Sequence, residues 1–136
     1  MSHRIDVAIA VIRRGQRVLI CQRLADASFA HFWEFPGGKR EGQETIEQCL
    51  HREMAEELAL PVAVREVIQV VEHDYPNARI RLHAYWCEAA RASDEPTPIQ
   101  CQQLKWVSGD ELTGYRFPPA SEPLVEAVRE RLAAAT

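Results

Sequence analysis

Three glutamates, Glu53, Glu56 and Glu57, lie within five consecutive residues, and Arg52 directly precedes them. If the segment is helical, each residue advances about 100° around the axis. Ile46, Cys49, Leu50 and Met54 then form an apolar stripe suited to a core. Glu53 and Glu57 project within about 20° of Ile46, and the three carboxylates span an arc of about 100°. Like charges at such spacings repel one another. Carboxylates that are partly buried and unpartnered are also pushed toward their neutral form. A hard divalent cation relieves both problems, because it takes oxygen ligands and keeps several waters. Arg52 can orient a neighbouring carboxylate through paired hydrogen bonds. A solvated acidic helix is the competing reading, and Glu56-Glu57 alone would fit it.

The elements that position these residues follow from pattern. Thr45 with Gln48 three residues on fits a capping box that starts the helix. The helix runs to about Leu58, and Pro61 blocks its continuation. Upstream, Pro36-Gly37-Gly38 predicts a sharp backbone change, and the paired glycines permit close approach to a ligand. Ile5–Ile12 reads as a buried strand, Arg13-Arg14-Gly15-Gln16 as a turn and Arg17–Gln22 as the returning strand. Ala25–His31 reads as a loop. Val62–Val71 and Ile80–Cys87 read as strands joined through Asp74-Tyr75-Pro76-Asn77. Leu104–Val107 is a last short strand. Ser121–Leu132 is a C-terminal helix with Leu124, Val125, Val128 and Leu132 on one side. Trp33 and Trp106 suit a core, whereas Arg79, Arg81 and His83 suit a solvent-facing strand side. Together these elements predict an α/β domain in which helices flank a mixed sheet.

Composition narrows the possible functions. With 136 residues the chain fits a single domain, 1–136. It is 46% hydrophobic and 26% charged, enough to bury a core without disulfides. A net charge of −4 gives no broad basic field for duplex nucleic acid. Cys21, Cys49, Cys87 and Cys101 form no C-x-x-C pair and no zinc-ligand spacing, so they read as reduced thiols. Met1-Ser2-His3-Arg4 runs into a strand without a leader pattern, and no apolar run nears the ~20 residues of a membrane span. The expectation is a cytoplasmic protein with no membrane partner, either monomer or homodimer.

Gly38–Leu60 resembles the Nudix box. The box runs Gly, five residues, Glu, seven residues, Arg-Glu, a bulky apolar residue, any residue, Glu-Glu, any residue, Gly and an apolar residue. Here it reads Gly38, Glu44, then Arg52-Glu53-Met54-Ala55-Glu56-Glu57-Leu58-Ala59-Leu60. Ala59 stands where glycine is usual; a left-handed helix end costs alanine roughly 1 kcal/mol, and Pro61 offers another way to end the helix. Arg23-Leu24-Ala25-Asp26, Trp33–Lys39 and Phe117–Pro123 resemble the MutT-like branch, so the likeness covers nearly the whole chain. It implies a Nudix α/β/α sandwich with a mixed sheet, the Nudix helix and a C-terminal helix. It also implies hydrolysis of a nucleoside triphosphate to monophosphate and pyrophosphate with magnesium, replaceable by manganese. The branch typically acts on oxidised guanine triphosphates such as 8-oxo-dGTP, in nucleotide-pool sanitation. A cousin prefers modified cytosine nucleotides.

The resemblance implies metal binding by Glu53, Glu56 and Glu57, with the carbonyl of Gly37 or Gly38 nearby. Glu53 is also the candidate general base. Glu44 and Arg52 would hold the helix and orient carboxylates, Lys39 would meet phosphates, and Arg23 would contact the nucleotide. Two positions depart from the pattern. Many relatives carry a further Glu before the last strand, where this chain has Pro98–Gln103 with Gln100 and no carboxylate; Asp94 or Glu95 could swing in, against the plainer reading of a solvated loop. Ser121 stands where the oxidised-guanine enzymes have Asn, and a hydroxyl has one donor where an amide has two. Ser121 is at once a candidate base contact and a candidate N-cap for the last helix. Tyr75 is a candidate aromatic near the base, and Phe29 and His31 are candidates for the pocket border. Two alternatives stay open: another nucleotide under the same chemistry, or a weakly catalytic nucleotide sensor.

Overall fold

The computed structural model describes residues 3–135. Met1 and Ser2, read above as leading into the first strand, lie outside the described residues. In chain order the elements are β1 (His3–Arg14), β2 (Arg17–Gln22), β3 (Trp33–Glu34), β4 (Gly37–Lys39), α1 (Ile46–Leu58), β5 (Val62–Tyr75), β6 (Ala78–Ala89), β7 (Leu104–Ser108) and α2 (Glu122–Ala134). Short 3-10 turns lie at Glu111–Gly114 and Pro119–Ser121.

The sheet is mixed, as its pattern predicts. Its order is β3-β2-β1-β6-β5, with β4 paired to β1 and β7 to β2. The long β1–β6 pair is parallel; the others are antiparallel. Strand alternation then sends neighbours to opposite faces. Val11, Val18 and Ile20 join Leu124, Val125, Val128 and Leu132 of α2 in one core. Ala8, Ala10, Ile12 and Leu19 join Cys49, Leu50, Met54 and Leu58 of α1 in the other. Leu50 is fully buried, and such burial stabilises by about 1.5–3 kcal/mol. Each helix therefore covers its own side of one sheet. Among the described residues no helix is long and apolar enough to cross a membrane.

Several elements differ from the sequence reading. Pro36-Gly37-Gly38 is not simply a turn: Gly37 and Gly38 belong to β4 and pair with Ile9 and Ala8. A Cβ on Gly37 would lie 2.1 Å from the Ala8 carbonyl oxygen, so close strand approach demands the glycine. The β5–β6 turn contains only Pro76-Asn77, because β5 continues through Tyr75. Trp33 is buried, but Trp106 is half-buried with the Arg14 guanidinium 4.1 Å from its ring centre. Arg79 and Arg81 reach Asp74 and Glu72 across the hairpin. His83 is not solvent-facing: its Nε2 lies 2.9 Å from buried Asp6.

Helix α1 begins as predicted. Thr45 Oγ1 accepts from the Gln48 amide at 3.0 Å, and Gln48 Oε1 accepts from the Thr45 amide at 2.8 Å. Its end is a surprise. Ala59 itself takes the left-handed conformation, φ 50° and ψ 39°, and the chain turns through Ala59 N–H to Ala55 O and Leu60 N–H to Met54 O. The strain at alanine is accepted, so Pro61 is not what ends the helix. Ala59→Gly is expected to stabilise the fold by about 0.5–1 kcal/mol, the strain relieved less the entropy glycine adds to the unfolded chain. A urea denaturation midpoint that fails to rise would contradict this.

Asp6 sits between His83, Arg4 and Arg40. The His83 hydrogen bond, opposed by burial and aided by the two arginines, holds its carboxyl below the ordinary value. The folded state thus favours the ionised form. This contribution is full above the unfolded carboxylate pKa, about 3.9, and is lost as pH falls through the lower folded value. Asp6→Asn is expected to cost about 1 kcal/mol at neutral pH and progressively less on acidification below pH ~4. Denaturation at neutral and acidic pH checks this; an unchanged gap between the two proteins would refute the linkage.

Candidate active site

The acidic helix, β4 and the loop between them meet at Arg52. Arg52 Nε and Nη2 donate to the two Glu44 oxygens at 3.0 and 2.7 Å. Nη1 donates to Glu53 Oε1 at 2.8 Å and to Glu56 Oε2 at 3.2 Å, and Nη2 also reaches the Lys39 carbonyl at 3.0 Å. One planar guanidinium thus joins the loop, β4 and three carboxylates, as its fork geometry allows. Arg52 and the Glu41 amide hold the Glu44 carboxyl down at about 2. The carboxylates in turn raise the Arg52 pKa above its ordinary value.

Glu53 is 13% exposed and lies against Gly38. A Cβ on Gly38 would come within 2.4 Å of the Glu53 carboxyl carbon, so this glycine makes room for the acid. Glu57 lies deeper. Burial, then its hydrogen bond with Glu53 and the charges of Glu53 and Glu34, push its carboxyl up to about 9. Its Oε2 is shielded from solvent and, among the described residues, has no hydrogen-bond partner. Glu56 is 52% exposed and points to Arg52.

Among the described residues no three His, Cys, Asp or Glu side chains are already converged into a metal cage. Magnesium-like ions rarely use a protein cage; one or two carboxylates, waters and substrate phosphates complete their shell. The residues fit such an ion. Glu57 offers an orphaned, buried oxygen beside a second carboxylate, in an environment that disfavours negative charge without a cation.

Glu34 was not singled out from sequence, yet its charge acts on Glu57. Burial raises its pKa, opposed by Arg23, whose Nη1 donates to Glu34 Oε1 at 2.5 Å. The signal was an acid between the core aromatics Trp33 and Phe35. Arg23 also holds Ser28 through its carbonyl at 2.7 Å. Lys39 is exposed and, among the described residues, makes no side-chain ion pair. The segment after β6 caps α1: Thr97 and Ile99 amides donate to the carbonyls of Leu58 and Glu57. Gln100 is exposed, while Glu95 pairs with Arg14 at 3.2 Å.

A cavity of about 150 Å³ opens on the opposite, α2 side of the sheet. Ile9, Phe35, Leu82 and Leu124 give it apolar walls, and Gln69, His73 and Ser121 are its polar lining. Ser121 does not cap α2: its backbone is already helical, and its side chain makes no capping bond. The hydroxyl is instead part of the cavity wall. Tyr75, Phe29 and His31 are not among the lining residues. Tyr75 ends β5 half-exposed, Phe29 packs edge-on to Phe32 at 5.3 Å, and the His31 carbonyl accepts from Gln22.

The family model described as NUDIX domain matches residues 7–127. The chain is 33% identical to an 8-oxo-dGTP diphosphatase of Escherichia coli (strain K12), over 93% of this chain and 97% of that protein. It is 36% identical to a CTP pyrophosphohydrolase of the same strain, over 90% of each. Among solved structures, the E. coli ORF135 protein superposes with a TM-score of 0.84 at 34% identity, covering 98% of this chain and 94% of that one. The Arg52-centred carboxylate cluster, the mixed sheet between two helices and this match over most of the length agree: the chain belongs to the Nudix hydrolase family.

Proposed function

We propose that this chain is a single-domain, magnesium-dependent pyrophosphohydrolase of modified nucleoside triphosphates, working in the cytoplasm in nucleotide-pool sanitation. One observation carries the reading: Glu57 presents a buried, unpartnered oxygen beside Glu53, which Gly38 and Arg52 hold in place. Glu53, Glu56 and Glu57, with a carbonyl of Gly37 or Gly38, would hold the ion. Bound there, it would neutralise phosphate charge and lower the pKa of an attacking water. Arg52 and Glu44 set the direction of Glu53, which takes the water's proton. Glu56, exposed and paired with Arg52, would reach the ion by rotating its side chain. Lys39 meets the phosphates. Arg23 acts from behind, holding Glu34 and the Ser28 turn. Tyr75, two residues beyond His73 on β5, is not among the residues that line the cavity.

The α2-side cavity would take the base, with Ser121 at its wall. Attack at the β-phosphorus then yields a monophosphate and pyrophosphate. A cytosine nucleotide is the second reading. It is favoured by the hydroxyl of Ser121 in place of an amide, and one similar protein is a CTP pyrophosphohydrolase.

Incubation with magnesium or manganese and a panel including 8-oxo-dGTP, dGTP and CTP is expected to release pyrophosphate, not orthophosphate. Glu53→Gln is expected to lower kcat by about 10²–10⁴-fold, the usual range for a proton-transfer group, with an unchanged circular dichroism spectrum. No release from any nucleotide would favour the sensor alternative. Near-normal turnover in Glu53→Gln would remove Glu53 from the base role.

A further inference from the structure

The α2-side cavity contains more polar chemistry than its Ser121 position accounts for. Gln69 and His73 lie four positions apart on the same strand face, with Val71, which also lines the cavity, between them. His73 Nε2 is shielded from solvent and has no hydrogen-bond partner. Among the described residues, the Gln69 amide and the Ser121 hydroxyl also have no partner. A shielded, unpartnered His73 Nε2 thus lies in an apolar-walled hollow that the Gln69 amide and the Ser121 hydroxyl also line. Buried polar groups are ordinarily bonded, so a shielded imidazole nitrogen facing a hollow with two further polar side chains points to a ligand that completes it.

Sheet register ties this hollow to the acidic side. Ile9 pairs with Gly37 on one side and Ala84 on the other, and Ala84 pairs with Gln69. A single cross-strand row therefore runs Gly37, Ile9, Ala84, Gln69. Its ends are three strand spacings apart, about 14 Å. The next row on the same face runs Lys39, Val7, Leu82, Val71. The hollow, about 150 Å³, is smaller than the roughly 300 Å³ minimum typical for a whole drug-sized ligand. It suits one ring system, leaving sugar and phosphates outside along these rows.

We infer that Gln69 and His73 are specificity-determining residues that read the hydrogen-bonding edge of the nucleobase, with Ser121 as the third contact. This rests on the proposed nucleotide hydrolysis and extends it to base selection. The Gln69 amide presents a donor and an acceptor side by side, which a hydroxyl alone cannot. It supplies from β5 the paired recognition that Ser121 cannot supply from the start of α2. The ligand class is a nucleobase with adjacent donor and acceptor groups, held between Ile9, Phe35 and Leu124.

Gln69→Leu and His73→Phe keep bulk and remove the polar atoms. Each is expected to lower kcat/KM for the preferred nucleoside triphosphate by about ten- to a hundredfold, chiefly through KM, and to narrow its ratio to the other nucleotides. An unchanged circular dichroism spectrum and urea midpoint show that the variants fold. In parallel, the matching nucleoside monophosphate is titrated into metal-free protein labelled with ¹⁵N-histidine. The His73 Nε2 resonance should shift on binding, whether or not the protein turns over. A shift without turnover in any nucleotide would uphold base reading and overturn the proposed hydrolysis. Unchanged nucleotide ratios in both variants, or binding that leaves His73 Nε2 unmoved, would overturn the inference.

Discussion

The site depends on the contact between the Glu53 carboxylate and the backbone at Gly38. Two acids, Glu53 and Glu57, are held near each other with little water, and burial presses Glu57 toward its neutral form. Arg52 supplies one fixed positive charge, but its donors are divided among Glu44, Glu53, Glu56 and the Lys39 carbonyl. None reaches the shielded Glu57 oxygen. The cluster is therefore short of cationic partners at its deepest point, while its rim is tightly tied. Such a rim fixes ligand directions in advance, which limits the ordering required when an ion and phosphates arrive.

The rest of the fold serves this contact. β4 must approach β1 closely enough to bring Gly38 against Glu53, which is why Gly37 has no room for a side chain. β1 alternates Ala8 and Ala10 toward α1 with Ile9 and Val11 toward α2. The same strand thus supports the acidic helix on one face and the cavity on the other. The capping box at Thr45 fixes where α1 starts, and Ala59 with the 97–99 segment fixes where it ends. Those two ends set the rotational phase that aims Glu53 and Glu57 inward and leaves Glu56 at the rim.

The acidic side was legible in sequence because it is local. Thr45-Gln48, the Ile46-Cys49-Leu50-Met54 stripe and the Arg52-to-Glu44 spacing are all encoded within one helix and its approach. The cavity was not legible, because Gln69, His73 and Ser121 come from distant segments joined only by strand register and the docking of α2. Tyr75 illustrates the limit. Its type suits a base contact, and the strand carries it two residues past His73 to the hairpin end, outside the cavity lining. Ser121 had two readings from sequence. Its helical backbone removes the capping role, because a capping side chain needs an extended backbone to reach the following amides. Glu34 was missed for a related reason: only the folded neighbourhood of Arg23 and Glu57 distinguishes it from an ordinary strand acid. His83 looked solvent-facing until the parallel pairing of β1 with β6 placed Asp6 beside it.

The central claim is that the Glu53–Glu57 pair is built for a divalent cation. Manganese binding followed by electron paramagnetic resonance tests it without substrate or turnover. Glu57→Gln should weaken manganese affinity by about 10–100-fold, as loss of a ligand or its support does, while the exposed control Asp110→Asn should bind as the unaltered protein does. Equal affinity in Glu57→Gln and Asp110→Asn would contradict the account.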